Sequence, residues 1–370
     1  MATKKADANQ TILKEYDDNV RLYQAFLEET EHQIKSILHA SGFAVNATTS
    51  RLKSRESLSG KLKRKPEKYT SLSDITDIAG IRIITYFSED VDKICDIVEN
   101  EFEIDRENSI DKRESMEPDR FGYCSVHYVV KMSNQRLALT ECARYKNLKC
   151  EIQIRSVLQH AWAEVEHDLG YKSEITIPKE MRRSFSRIAG LLEIADKEFN
   201  DIRTSLSTYR QTIKTQIENN EVLDQDLDAV VLEVFINQDE NILKINRYIE
   251  ELTGATFEEM KNLQAELTLK KLKWLGVTTV RQLTELSSKY VDIAIRIAHE
   301  KLQNYKERKD HGTIYNSIAF FYLCYAILLK EHCDEDQIRR YFEETKIGLV
   351  STREAAVKEL YNLGLTLKNE

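Results

Sequence analysis

Proline is nearly absent from this chain of 370 residues, and the three that occur, Pro66, Pro118 and Pro178, all lie in its first half. Glycine is sparse as well, with 11 residues in total, so few positions interrupt a helix. Proline-free stretches with an apolar residue every three or four positions are typical of helices. The part of the chain after Pro178 is therefore predicted to be entirely α-helical.

None of the six cysteines lies in a Cys-x-x-Cys pair, and without such close ligand pairs a structural zinc site is disfavoured. Scattered cysteines in a chain of this size are typical of a reduced protein, so the expected location is cytoplasmic. No apolar run is long enough to span a bilayer. The N-terminal MATKKADANQ lacks the apolar core of a secretory signal, and no membrane partner is expected.

The formal net charge of −8 argues against wholesale, non-specific binding of nucleic acid. The charge is unevenly distributed, however. Residues 51–68, RLKSRESLSGKLKRKPEK, hold eight Lys or Arg residues against two Glu. This basic segment in an acidic protein indicates a site for a small polyanion.

Strand-like and helix-like patterns alternate in the first half. IAGIRIITYF (78–87), CSVHYVVKM (124–132) and LKCEIQIR (148–155) are predicted strands. Helices are predicted for residues 10–40, 90–101 and 157–172. A further helix is predicted to be capped by Ser50 and to end at Pro66. Strands mixed with helices predict an α+β fold in layers, followed by a long helix around 180–218 and an all-α C-terminal domain.

Lys53, Ser57 and Lys61 are spaced four residues apart, which would place them on one face of a helix. Two ammonium groups and a hydroxyl on one face can hold a triphosphate by charge-assisted hydrogen bonds. A solvated basic face is the alternative interpretation. Asp77, where the chain enters the first predicted strand, is placed to ligate Mg²⁺, although an aspartate is also a common turn residue before a strand.

Two later segments place polar side chains on a single strand face. Tyr123, Ser125 and His127 point the same way in an extended chain and can stack a base and bind a phosphate; core or surface positions are the alternative. Glu151, Gln153 and Arg155 share a face in the same manner. A glutamate between apolar neighbours indicates a ligand or a base, with a cross-strand ion pair as the alternative.

The order and spacing of these segments resemble the synthetase domain of the RelA/SpoT-homologue proteins, the alarmone synthetases of the stringent response. The matching segments are RLKSRESLSGK (51–61), DIAGIR (77–82), FGYCSVH (121–127), EIQIRS (151–156) and HAWAEVEHDLGYK (160–172). The resemblance implies a nucleotidyltransferase-like domain with a mixed β-sheet flanked by helices. Long members of the family carry a hydrolase domain before the synthetase. The segment before Arg51 is too short for one, so we expect a synthetase without its own hydrolase.

The resemblance implies transfer of a diphosphate from ATP to the 3′-hydroxyl of GTP or GDP, giving the (p)ppGpp alarmone, with Mg²⁺ as cofactor. The implied ATP-binding residues are Arg51, Lys53, Ser57, Lys61 and Arg82, with the two arginines on either side of the adenine. The implied catalytic residues are Asp77, Glu151 and Gln153, of which Asp77 and Glu151 would also ligate the metal. The implied acceptor-binding residues are Tyr123, Ser125, His127, Arg113 and Arg155.

Two other functions remain open at this point. A toxic relative would place the diphosphate on the 3′ end of tRNA, with the C-terminal domain as an antitoxin or a sensor of a phage trigger. A non-catalytic nucleotide-binding scaffold is disfavoured because both Asp77 and Glu151 are present. The predicted organisation is an N-terminal helix (1–45), a pyrophosphokinase domain (46–180), a connecting helix (181–221) and an all-α regulatory or oligomerisation domain (222–370). A homo-oligomer is compatible with the family resemblance.

Overall fold

The computed structural model describes residues 2–65, 68–111, 125–171, 179–219, 224–303, 313–332 and 334–367. The chain forms two compact units, residues 1–204 and 205–370. The division falls inside one long helix, α6 (Lys179–Glu218). The boundaries inferred from the sequence at residues 45, 180 and 221 remain predictions.

The first unit is built around a mixed sheet. Its helices are α1 (Ala2–Ala40), α2 (Arg55–Arg64), α3 (Glu89–Glu101), α4 (Asn134–Leu137) and α5 (Val157–Tyr171). Its strands are β1 (Ala47–Leu52), β2 (Ala79–Thr85), β3 (Phe102–Ile104), β4 (Ile110–Asp111), β5 (Val126–Met132) and β6 (Cys150–Ser156). The strand order is β1-β2-β6-β5-β3, and β4 also pairs with β5. Strands β2 and β6 run parallel, and the other pairs are antiparallel.

One face of this sheet packs into the hydrophobic core of the unit. Ile81 and Ile83 of β2 pair with Ile152 and Ile154 of β6, and all four side chains are buried. They belong to one apolar cluster with Phe26 of α1 and with residues of α3. Because successive side chains of a strand point to opposite faces, the residues between these isoleucines lie on the other face.

The opposite face carries the polar residues singled out by the sequence. Its registers place Arg51, Gly80 and Glu151 in one row and Arg82, Gln153 and His127 in the next. The pairings of β2 with β1, of β2 with β6 and of β6 with β5 therefore bring together residues that are far apart in the chain. The α+β fold class and the three predicted strands are confirmed, since β2 and β5 lie inside the predicted segments and β6 extends one residue beyond its segment.

The region around Ser50 differs from the prediction. Ser50 does not cap a helix but lies in the edge strand β1. Helix α2 starts five residues later, at Arg55, and the side chain of its N-cap Ser54 accepts a hydrogen bond from the backbone N–H of Ser57. Threonine and serine before an alternating segment suit an extended edge as well as a cap, and pairing with β2 decides between the two.

The second unit is helical. Its helices are α7 (Ala229–Gln238), α8 (Glu240–Thr253), α9 (Asn262–Trp274), α10 (Val280–Leu302), α11 (Ile318–Glu331), α12 (Glu335–Glu344) and α13 (Arg353–Thr366). The expectation of an all-α region is wrong at one place, where β7 (Thr256–Glu258) and β8 (Thr313–Tyr315) form a short parallel pair. Helix α11 is almost fully buried, as its apolar sequence predicts. Among the described residues, no helix is long and apolar enough to cross a bilayer.

The central strand β6 gives a test of how the sheet is stabilised. Ile152 is fully buried, and its replacement by alanine should reduce the free energy of unfolding of the first unit by about 2–5 kcal/mol, because a cavity remains. Hydrogen exchange of peptides from β2 and β6 measures this loss. Ile188→Ala is a matched control, since Ile188 is 48% exposed on α6. An equal loss in both variants would contradict the placement of the core.

Candidate active site

Two lysines converge on one carboxylate at the polar face of the sheet. The Nζ atom of Lys61 lies 2.7 Å from Oδ1 of Asp77, and that of Lys53 lies 3.1 Å from Oδ2. Lys61 comes from α2, whereas Asp77 immediately precedes β2. All three side chains are mostly shielded from solvent, so their attraction is weakly screened.

The expectation that Lys53, Ser57 and Lys61 share a helix face is wrong in one respect. Lys53 precedes α2 and reaches Asp77 from the turn between β1 and the helix. Ser57 sits in the first turn of α2, where its Oγ receives a hydrogen bond from the hydroxyl of Ser54. The two ammonium groups still meet, because the turn and the helix both border Asp77.

The lysines determine the ionisation of Asp77. Burial of its side chain favours the neutral acid and acts to raise the pKa. The hydrogen bond from Lys61 and the charges of Lys53 and Lys61 outweigh burial, so the pKa of Asp77 lies below its ordinary value. Asp77 is therefore held as a carboxylate.

A chain of hydrogen bonds runs through the second carboxylate. Ser125 Oγ lies 2.7 Å from Nε2 of His127, and Nδ1 of His127 lies 3.0 Å from Oε1 of Glu151. The amide of Gln153 donates to Oε2 of Glu151 at 3.2 Å. The guanidinium of Arg155 donates in turn to the amide oxygen of Gln153. Both oxygens of Glu151 are thus fixed in direction.

Glu151 and Asp77 are close enough to influence each other's charge. Burial acts to raise the pKa of Glu151, and the negative charge of Asp77 adds to that effect. The hydrogen bond and charge of His127, with the bond from Gln153, outweigh both, so the pKa of Glu151 is lowered. Asp77, in the turn before β2, and Glu151, on β6, are therefore both ionised, and two lysines contact Asp77.

This arrangement fits a magnesium ion. Mg²⁺ prefers oxygen ligands and is usually bound by one or two carboxylates, with water and substrate phosphates completing its shell. Asp77 and Glu151 supply two such carboxylates. Within the described parts of the chain, no cluster of three or more His, Cys, Asp or Glu residues forms an all-protein metal site. The donor set matches a metal that is shared with a phosphorylated substrate.

A second cationic group lies at the end of the same face. Arg82 donates to Oε1 of Glu164 on α5 at 2.8 Å, and Nδ1 of His160 lies 3.8 Å from that oxygen. Burial, followed by the charges of Arg155 and Arg82, lowers the pKa of His160. Sequence reasoning missed Glu164, because a contact across 82 positions between a strand and a helix leaves no local signal.

The remaining predicted residues differ in their surroundings. Arg51 is exposed in β1. Arg155 is only 4% exposed, and burial, followed by the charge of Arg82, lowers its pKa. Arg155 therefore supports Gln153 from inside the fold. Tyr123 and Arg113, predicted to bind the acceptor, lie outside the described residues.

Comparison with known proteins places these features in a family context. Residues 50–176 match the model of a region found in RelA and SpoT proteins. The GTP pyrophosphokinase YwaC of Bacillus subtilis is 28% identical over 206 residues, which are 53% of this chain and 94% of the relative. YjbM of the same organism is 27% identical over 189 residues, 49% of this chain and 85% of the relative.

Solved structures give similar matches. The small alarmone synthetase 2 from B. subtilis is 28% identical with a TM-score of 0.44, covering 52% of this chain and 99% of that chain. The small alarmone synthetase 1 from B. subtilis, bound to its product pppGpp, is 25% identical with a TM-score of 0.45. The match covers 52% of this chain and 99% of that chain.

The pairing of Lys61 with Asp77 gives a direct test of the site's electrostatics. Lys61→Met should raise the pKa of Asp77, because burial persists while a hydrogen bond and a charge are lost. A ¹³C NMR titration of the aspartate carboxyls measures this change. Lys63→Met, an exposed position on the same helix, is the matched control and should leave Asp77 unchanged.

The same pairing makes stability depend on pH. Since the pKa of Asp77 is lowered on folding, its ion pairs stabilise the protein above the ordinary pKa of aspartate. This stabilisation is lost as the pH falls through the folded value. Lys61→Met should weaken it, and an unaltered acid limb of the unfolding curve would argue against the pairing.

Proposed function

Residues 50–176 form a domain of the RelA/SpoT family, and on this premise we propose that the first unit transfers a diphosphate from ATP to the 3′-hydroxyl of GTP or GDP. One observation carries the proposal. Asp77, in the turn before β2, and Glu151, on β6, are both ionised, the charge of Asp77 acts on Glu151, and the ammonium groups of Lys53 and Lys61 contact Asp77. Phosphoryl transfer requires this combination of positioning and positive charge.

The lysines serve the donor in this proposal. Lys53 and Lys61 have short, flexible contacts with Asp77 that a triphosphate can replace with charge-assisted hydrogen bonds. Ser57, at the start of α2, adds a hydroxyl and lies where the helix N-terminus favours an anion. Arg51 and Arg82 project from β1 and β2 and provide planar guanidinium groups for the adenine.

Asp77 and Glu151 would hold the magnesium ion. When bound, the metal supplies positive charge that stabilises the phosphates during transfer. The protein contributes the orientation of both carboxylates. Lys53 and Lys61 hold Asp77. His127 and Gln153 hold Glu151.

Glu151 is also the proposed general base. It accepts the proton of the ribose 3′-hydroxyl while the 3′ oxygen bonds to the β-phosphorus of ATP. The bond from the β-phosphorus to the oxygen bridging it to the α-phosphorus breaks, and AMP leaves with that electron pair. His127 and Gln153 hold the carboxylate in place, so they are positioning residues for the base.

His127 has a different position from the one expected for a phosphate ligand. Both of its ring nitrogens have protein partners, Ser125 and Glu151. In the proposed reaction its first role is therefore to orient Glu151, and contact with the acceptor requires that Ser125 be displaced. Acceptor binding by Tyr123, Arg113 and Arg155 remains a prediction from the family resemblance.

The acceptor is identified by a transfer assay. Purified full-length chain is incubated with Mg²⁺ and ATP labelled at the γ-phosphorus, with GDP, GTP, ATP or deacylated tRNA in parallel reactions. We expect label on the guanosine nucleotides. Label on tRNA would instead support the toxin-like alternative, and no transfer to any acceptor would support a nucleotide-binding scaffold.

The role of Glu151 is tested by Glu151→Gln. This change keeps the side-chain size but removes the base and one metal ligand, so kcat should fall by about 10²–10⁴-fold. Binding of ATP, measured by calorimetry, should persist because the lysines remain. Glu103→Gln is the matched control, on the half-exposed end of β3, and should retain full activity. Comparable transfer by Glu151→Gln and the native chain would remove Glu151 from the mechanism.

A further inference from the structure

The helical unit contains an aromatic cavity that the proposed reaction does not use. It has a volume of about 200 Å³. The side chains that line it include Phe321, Tyr322 and Tyr325 of α11, Lys301 of α10, Phe342 of α12 and Ala356 of α13. Four consecutive helices thus converge on a single space.

The size of the cavity limits what can enter. An apolar protein cavity of about 150 Å³ is large enough to bind benzene. A cavity of about 200 Å³ therefore accommodates one aromatic ring with a small substituent. A nucleoside triphosphate is much larger, so the cavity is not a second site for the proposed substrates.

The walls favour a flat ring. The rings of Tyr325 and Phe342 are nearly parallel, with 12° between their planes and 5.7 Å between their centroids. Phe321 lies against Tyr325 at 4.4 Å with a 50° tilt. These three rings pack against one another, so they form one continuous aromatic surface along which a planar guest can lie.

Two hydroxyl groups beside the cavity, those of Tyr322 and Tyr325, have no hydrogen-bond partner among the described residues. Tyr322 and Tyr325 are 4% and 6% exposed. Burial raises the pKa of both phenols, so they stay protonated and act as donors. Neither hydroxyl is among the buried polar atoms that are closed off from solvent, so a guest with an acceptor oxygen can reach both donors.

A cation stands at the same cavity. Nζ of Lys301 lies 2.7 Å from Oε1 of Glu359, but the lysine is 21% exposed and the glutamate 66%. The carboxylate of Glu359 can turn into solvent at little cost, since exposed ion pairs contribute little. Lys301 is then available to an anionic group on the guest.

We propose that this cavity binds a small planar aromatic carboxylate. The ring lies among Phe321, Tyr325 and Phe342, and the carboxylate accepts from the phenols and from Lys301. The helical unit would therefore carry a ligand site of its own, separate from the residues assigned to diphosphate transfer.

The probe for this site is 4-fluorobenzoate, followed by ¹⁹F NMR during titration with the full-length chain. We expect saturable binding to a single site. Lys301→Met should weaken binding by about tenfold, because a charge-assisted contact is lost. Tyr322→Phe keeps the ring and removes a donor, and should weaken binding by about fivefold. Lys270→Met, an exposed lysine on α9, is the matched control and should bind the probe as the native chain does.

Ala356→Trp tests the location, because the larger side chain fills the cavity and should abolish binding. Each variant is first compared with the native chain by circular dichroism, and Tyr322→Phe decides the matter if the tryptophan variant fails to fold. The proposal is overturned if the native chain shows no saturable binding. It is also overturned if neutral fluorobenzene binds as tightly as the carboxylate, or if Tyr322→Phe and Lys301→Met bind the probe unchanged.

Discussion

The ion pairs between Asp77 and the two lysines are the constraint on which the polar face of the sheet depends. The carboxylates of Asp77, just before β2, and Glu151, on the adjacent strand β6, repel each other, and burial opposes the charge on each. Without nearby donors one of them would take up a proton. Lys53 and Lys61 keep Asp77 ionised, while His127 and Gln153 do the same for Glu151, so both negative charges persist together.

The sheet that carries this concentration of charge is packed against apolar side chains on its other face. The isoleucines of β2 and β6 fill the opposite face, and α1 and α3 pack against them. Helix α6 adds a further restraint through Asp196, which accepts a hydrogen bond from Ser156 at the end of β6. Asn200 and Arg203 of α6 bind Ser88 and Asp90 at the start of α3. Arg155 thus lies between two fixed points: its guanidinium donates to Gln153, and the next residue, Ser156, donates to Asp196.

Sequence patterns identified the parts of this site that depend on local geometry. Alternation along β5 and β6 correctly placed His127 and Glu151 on strands, because the period of a strand is set by the backbone alone. The position of Lys53 was not accessible in this way, since the choice between a helix and an edge strand at Ser50 depends on pairing with β2. The contact of Arg82 with Glu164 is likewise set by packing. Both errors arise where a tertiary contact overrides a local preference.

The pairing of Asp77 with Lys53 and Lys61 also bears on how the proposed substrates enter. Two negative and two positive charges balance on this face in the absence of nucleotide. A triphosphate alone would draw the lysines away and leave Asp77 facing Glu151 without compensation. A divalent cation alone would meet an Asp77 carboxylate that the two lysines already neutralise. When both arrive together, the lysines turn to the phosphates as the carboxylates turn to the metal, so each charged group keeps a partner of opposite sign. On the proposed function the site therefore favours the metal–nucleotide complex over either component.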